Sequence, residues 1–288
     1  MHLKQATKPL LSISIIQLIK EKYFLEKEDK IAKYWDNNQS RLDIIQRADK
    51  LFEQQKYMDV YETLNRIKFS NDIEIVWRLA RALYNLSQNP EISDEVRMEM
   101  IVEAHKILVK ASGIGTGKSN YHKWLAVILN TKHGLQSLET KIREYENVKE
   151  QLIKACESNP RDFTVQYMLG RWHYEMANLT WLQRRIAKYF YLEPPISTYQ
   201  EAYKHLIKAE ELQPRCFIPN LYVLGSACMK IGQYYRAKYY LNLALSLPVH
   251  TECEKCCVTG ARNLLRKLEK YDLSKDLFNE NYNFGFDN

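Results

Sequence analysis

The run Ser112-Gly113-Ile114-Gly115-Thr116-Gly117-Lys118-Ser119 ends like a phosphate loop, but Ser112 stands where such a loop has its first glycine. A phosphate loop grips its anion because a strand delivers backbone N–H groups, and the N-terminus of a following helix, to the phosphates. Here residues 103–110 read as helix, and no apolar strand ending in Asp follows to hold magnesium. The run therefore reads as a glycine-rich hinge, with nucleotide binding as the alternative. A second cluster, His250, Cys253, Cys256 and Cys257, offers metal-ligating side chains. Zinc sites pair two separated ligand couples so that a loop can close a tetrahedron, which four ligands at the opening of one helix do not readily do. His250, Cys253 and Cys257 share a helical face, so zinc stays as an alternative to half-buried thiols with Thr251 as the helix cap.

No Ser/His/Asp or Cys/His nucleophile pattern is present, and the pairs Glu28-Asp29 and Glu210-Glu211 lie in charged helical stretches where a solvated face accounts for them. The expectation is a protein with no catalytic residue, no cofactor and no metal. A third pattern carries more. Leu182, Ile186, Tyr189 and Phe190 recur at helical spacing, with Arg184, Arg185 and Lys188 between them. Such a helix either packs its apolar stripe and leaves the charges to solvent, or offers a basic surface to an acidic partner or a membrane face. The two can coexist.

The elements that must position these residues follow from composition and spacing. The chain has 288 residues, 45% hydrophobic and 27% charged, which suits a folded core. Nine Gly and eight Pro are few, which favours long helices joined by short turns. The net charge of +7 is spread over both halves, without the concentrated basic face of a nucleic-acid protein. It still suits an acidic partner. The six Cys do not read as a disulfide framework, which points to a reducing compartment. The apolar run at 9–19 is far short of the ~20 residues of a membrane span. It reads as an amphipathic first helix, as a mitochondrial targeting segment (Lys4 and Lys8 precede any acid until Glu21), or as a secretory signal, though no A-x-A-like cleavage site follows.

A repeat organises the rest. In a tetratricopeptide unit a small residue on helix A lets helix B approach, and Ala, a large apolar residue and Ala then line helix B. Gly225 with Ala237, Leu241 and Ala244, followed by Pro248, is the clearest copy. Gly170 with Ala202, Leu206, Ala209 and Pro214 is another, with about 20 residues inserted between its helices. Val148, Leu152, Ala155 and Pro160 follow a helix holding Trp124 and Ala126, with a shorter insertion. Ala104, Leu108 and Ala111 follow a helix holding Trp77 and Tyr84. The first copy is Ala48 and Leu51, then Val60, Leu64 and Ile67. Residues 253–270 complete the array as a capping helix with Leu264, Leu265 and Leu268 on its apolar side. The expected fold is all-α, a tetratricopeptide-like α-solenoid of about five helical hairpins. Residues 1–39 precede it as an amphipathic or disordered segment, 40–270 form the repeat domain and 271–288 a tail. Helix-A positions that line the concave face of such stacks bring Tyr167, Arg171 and Tyr174 beside Tyr222, Ser226 and Met229. Tyrosines there would offer large contact area to a partner.

At this point the sequence resembles the regulator of microtubule dynamics family, also called the family with sequence similarity 82. The resemblance rests on Leu169-Gly170-Arg171-Trp172-His173-Tyr174-Glu175, on Asn178-Leu179-Thr180-Trp181-Leu182-Gln183-Arg184-Arg185-Ile186-Ala187-Lys188, and on Pro194-Pro195-Ile196-Ser197-Thr198-Tyr199. Ala209-Glu210-Glu211-Leu212-Gln213-Pro214, His122-Lys123-Trp124 and Trp77-Arg78-Leu79-Ala80-Arg81-Ala82 extend it over roughly residues 40–270. The resemblance implies a non-enzymatic protein that binds microtubules or spindle-associated assemblies. Some branches of the family carry a membrane anchor, an organelle-tethering motif and phospholipid handling. This sequence shows no transmembrane segment, and Tyr23-Phe24-Leu25-Glu26 matches the tethering motif poorly. The expected partners are microtubules, tubulin or a microtubule-associated protein, met in the cytoplasm at the cytoskeleton or spindle. The alternative is a lipid-binding or organelle-contact module, associated with mitochondria, that holds phospholipid in the groove. The candidate partner-binding residues are Tyr167, Arg171, Tyr174, Tyr222 and Met229 in the groove, and Arg184, Arg185 and Lys188 on the insertion.

Overall fold

The computed structural model describes residues 38–68, 70–136, 138–189 and 195–271. The targeting-segment and tethering-motif readings, Phe190, Pro194 and the tail after residue 271 lie outside them. Among the described residues every regular element is an α-helix. They fall into two compact units that divide between residues 137 and 138.

The first unit holds α1 (Asn38–Glu53), α2 (Tyr57–Asn65), α3 (Ile73–Ser87), α4 (Asp94–Lys110), the short α5 (Ser112–Gly115) and α6 (Ser119–Gln136). Sequence punctuation sets these boundaries. Asp72 caps α3 by accepting from the Glu74 amide at 2.9 Å, and Ser93 caps α4 through the Val96 amide. Ala48, Val60, Leu64, Leu79, Ala104 and Leu108 are buried in one apolar cluster, as the repeat spacing requires. Beside it, Arg78 on α3 bonds Asp49 on α1 through Nε at 2.9 Å and Nη2 at 2.7 Å, and Arg81 adds a third bond to the same carboxylate at 3.0 Å. Burial resists ionisation of Asp49, yet hydrogen bonds and charge from Arg78, then Arg81, hold it below its ordinary pKa. Arg81 also lies over the Phe52 ring at 3.6 Å.

The second unit holds α7 (Leu138–Arg143), α8 (Tyr145–Ser158), α9 (Phe163–Ala177), α10 (Trp181–Tyr189), α11 (Tyr199–Leu212), α12 (Ile218–Lys230), α13 (Tyr234–Ser246) and α14 (Glu252–Leu268). Helices α9 and α11 pair, as do α12 and α13, and α14 packs on both members of the latter pair. A Cβ at Gly170 would meet Leu206 Cγ at 2.6 Å, and one at Gly225 would meet Leu241 Cγ at 2.7 Å. Those are the small and large positions of the repeat, in contact. Ala202, Ala209, Ala237 and Ala244 are buried around them. Val258, Ala261 and Leu268 form the inner side of α14, with Leu264 and Leu265 partly buried. The capping helix thus runs one residue further toward the N-terminus than the expected 253–270 and ends two residues earlier. These hairpins belong to the tetratricopeptide-like α-solenoid class.

Candidate partner-binding site

Within the segment Leu169–Glu175, Leu169, Gly170, Trp172, His173 and Tyr174 pack against neighbouring elements. Leu169 is in the core and Gly170 admits Leu206. Trp172 donates its indole N–H to the Tyr145 carbonyl on α8 at 3.1 Å. His173 Nδ1 lies 2.7 Å from Ser197 Oγ, tying the far end of the insertion to α9, and its ring stacks on His205 at 5.3 Å. Burial first, then His205, lowers the His173 pKa to about 4, against the pull of Glu201. Tyr174 meets Tyr199 at 5.6 Å between ring centroids, and the Tyr199 hydroxyl donates to Asn178 Oδ1 at 3.1 Å.

The groove candidates gather in one cluster, but not as an open surface. Tyr167 is only 7% exposed, with its ring edge-on to Phe217 at 4.9 Å, and burial pushes its hydroxyl up to about 12. Its expected role as a contact surface is corrected: it is core, because α12 follows a loop that brings Phe217 over it. Tyr174, Tyr222 and Met229 are partly buried against the same cluster. Tyr222 lies beneath α14, close enough that a Cβ at Gly260 would meet its ring at 2.7 Å. The buried Ser226 turns its hydroxyl back to the Tyr222 carbonyl at 2.7 Å. Arg171 is the accessible member. Its side chain is 52% exposed, donates to Glu175 Oε1 at 2.8 Å, and reaches the Tyr167 hydroxyl at 3.4 Å.

The insertion helix α10 departs from the stripe expected of it. Leu182 is 59% exposed and Tyr189 79%, so those two do not pack down. The small Ala187 is buried instead, and Ile186 is half-buried. A small side chain brings the helix backbone closer to its neighbour than a Leu or Tyr could, and the bulky residues turn outward. Sequence reasoning missed what fixes this helix, although Thr180-x-x-Gln183 could have been recognised as a capping box. The Thr180 amide donates to Gln183 Oε1 at 2.8 Å, and the Gln183 amide donates to Thr180 Oγ1 at 3.2 Å. Arg184 is half-buried and donates through Nη2 to the Met176 carbonyl at 2.8 Å, closing the C-terminal end of α9. It is therefore a structural cation. Arg185 and Lys188 are exposed, and Arg185 lies 4.7 Å from the centroid of the Trp181 ring, which is itself 68% exposed. Ile196, at the end of the same connection, is 87% exposed.

The glycine-rich run has no phosphate-loop geometry. Ser112–Gly115 is helical, and the Ile114 and Gly115 amides donate to the Ala111 carbonyl at 3.1 and 2.9 Å, so they are not turned to an anion. A Cβ at Gly115 would meet the Tyr121 ring at 2.5 Å, and Gly117 takes a φ of +76°, so close approach and a left-handed turn account for these glycines. Among the described residues no group of three or more His, Cys, Asp or Glu side chains is arranged to hold a metal ion. No helix among them is long and apolar enough to cross a membrane.

Comparison with known proteins places this geometry. The family model for regulator of microtubule dynamics protein 1-3 matches residues 44–269. The chain is 35% identical over 226 residues to regulator of microtubule dynamics protein 1 of Mus musculus, covering 78% of this chain and 74% of that protein. It is 31% identical over 230 residues to regulator of microtubule dynamics protein 3 of Xenopus laevis, covering 77% of this chain and 49% of that protein. Among solved structures, a thermophilic TPR protein of Thermus thermophilus aligns with a TM-score of 0.51 at 13% identity, over 77% of this chain and 98% of its own, which speaks to the fold alone. The chain belongs to the regulator of microtubule dynamics protein 1-3 family.

Proposed function

We propose that this protein is a non-enzymatic adaptor that binds microtubules, or a microtubule-bound partner, through the exposed side of α10, and so influences microtubule dynamics from the cytoplasm and spindle. The names of its relatives supply the microtubule. The observation that carries the choice of surface is the exposure on α10 of Arg185 and Lys188 together with Trp181, Leu182 and Tyr189. A domain that buries most of its apolar residues leaves such a patch exposed when something else covers it. Two cations on its rim suit an acidic partner, which they would draw in by long-range attraction. Arg171, half-exposed on α9, is a further basic contact; Tyr167 is not, because it is buried.

The same composition supports a second reading. Aromatic and aliphatic side chains interleaved with Arg and Lys also suit a helix lying in an anionic lipid interface, which would make the chain an organelle-contact module at mitochondria or another membrane. Pelleting of the purified chain with polymerised tubulin, alongside flotation with phosphatidylserine liposomes, separates the two. Saturable, salt-sensitive pelleting with tubulin and no flotation supports the microtubule reading. Flotation without pelleting moves the assignment to the membrane.

A further inference from the structure

A cavity of about 220 Å³ opens in the first unit between the α2–α3 connection and α4. Its walls are aliphatic: Val76 of α3, Ile107 of α4, Ala111 and, from the glycine-rich run, Ile114. Val76 and Ala111 are buried, and Ile107 and Ile114 are half-buried where they pack on the core of this unit. Around this apolar lining stand three lysines, Lys68, Lys106 and Lys110, and one acid, Glu103. Glu103, Lys106, Ile107 and Lys110 recur at helical spacing on α4, so one helix face supplies both wall and charge.

Glu103 does not cancel the lysines. Its Oε1 accepts from the Tyr61 hydroxyl at 3.2 Å and from the Lys68 ammonium at 3.5 Å. Three ammoniums against one carboxylate leave the lining with an excess of two positive charges. Lys106 and Lys110 are both exposed. Glu103 Oε2 is buried, and no donor among the described residues reaches it. A buried carboxylate oxygen without a donor carries a free-energy cost that an incoming N–H relieves. The lining therefore suits three groups together: negative charge for Lys106 and Lys110, an N–H for Glu103, and one apolar group for the walls. Size limits the last. A cavity of about 150 Å³ holds benzene, so this one takes a single leucine- or phenylalanine-sized side chain and has no room for the acyl chains of a phospholipid. Its aliphatic walls offer no ring on which a nucleic-acid base would stack.

We propose that this cavity is a docking site for an acidic linear peptide. One apolar side chain of the peptide enters beside Ile107 and Ile114, its flanking carboxylates meet Lys106 and Lys110, and a backbone N–H donates to Glu103. The site gives the chain a second contact besides α10 and shares no residue with it, so it stands whether or not α10 binds microtubules.

The test titrates the full chain into a fluorescein-labelled peptide, Asp-Glu-Leu-Glu-Asp, and follows fluorescence anisotropy. Saturable binding is expected, weakening as salt rises. Replacing the leucine of the peptide with serine should weaken binding by about 10-fold or more, because the buried side chain supplies the attraction that salt does not screen. Lys106→Glu with Lys110→Glu should weaken it about 5- to 30-fold, whereas Arg185→Glu with Lys188→Glu, the same change in net charge, should leave it unaltered. Both pairs are exposed, so each comparison is between folded chains. In the unmodified chain the methyl resonances of Ile107 and Ile114 should shift as peptide is added. Equal weakening by the two charge reversals, equal binding of the leucine and serine peptides, unmoved Ile107 and Ile114 methyls, or no saturable binding would overturn the proposal. So would decanoate or phosphatidylserine liposomes binding through Lys106 and Lys110 in place of the peptide, which would make the occupant a lipid.

Discussion

The two units resolve the same problem, closing helical hairpins, with opposite economies of chain. In the first unit α1, α2, α3 and α4 follow one another through short turns, and a charged network, Asp49 with Arg78 and Arg81, joins α1 to α3. In the second, α9 and α11 pair only after a connection that contains α10, and that connection carries the four most exposed large apolar side chains described: Ile196, Tyr189, Trp181 and Leu182. Where the turn is short, packing and ion pairing explain nearly every bulky residue. Where it is long, they explain its anchors, Thr180, Gln183, Arg184, Ala187 and Ser197, and leave its outward side to be explained by a partner.

That contrast can be broken in the core of the second unit first. Gly170→Val would drive side-chain atoms into Leu206, whose backbone amide is also within 3.0 Å of the added Cβ. A loss of roughly 3 kcal/mol is expected in urea unfolding. Gly134→Ala in α6, where a Cβ meets nothing within 4 Å, should be neutral or stabilising by up to about 1 kcal/mol. Equal losses at both would show that the two glycines are not doing different jobs. In the first unit, Asp49→Ala should cost roughly 2 kcal/mol, below the usual cost of stranding a fully buried ion because Asp49 is 38% exposed. Charge-preserving Asp49→Glu should recover part of that loss.

A smaller effect comes with acid. His173 is neutral when folded, with its pKa at about 4, and titrates near 6.5 when unfolded, so the unfolded chain binds the proton first. Its contribution is present above pH 6.5 and is lost as pH falls from there toward 4. The drop from pH 6.5 to 5 should cost about 1.5 kcal/mol, and His205, lowered in the same direction by burial, adds to it. His173→Gln should flatten the slope of stability against pH in that window; an unchanged slope would remove His173 from the account. Smallest of all, Arg185→Glu with Lys188→Glu should change stability by about 0.5 kcal/mol or less, because both side chains are exposed.

The repeat was legible because Gly170 with Leu206 and Gly225 with Leu241 are contacts at fixed spacing within one hairpin. Their meaning survives even an insertion of about 20 residues, since the spacing within helix B is intact. The site was read less well. Helical periodicity gave α10 two faces but not which one docks, and Ala187 decided that by its size. Tyr167 occupies a groove position in the repeat pattern, yet Phe217, fifty residues on, buries it. The Asp49 network needed the register of α1 against α3, which no local spacing encodes. Arg184 looked like its neighbours Arg185 and Lys188 and proved to be an anchor for α9.

The measurement closest to the central claim is co-sedimentation with polymerised tubulin across a salt series, comparing the unmodified chain with the Arg185→Glu, Lys188→Glu double variant and leaving Arg184 in place to hold the helix. The unmodified chain should pellet at low salt and be released as salt screens the attraction. The double variant should bind more weakly by roughly 1–2 kcal/mol, about 5- to 30-fold, with its helical content unchanged. Identical pelleting of both proteins, or no pelleting by either at low salt, would contradict the assignment of α10 as the microtubule-binding surface.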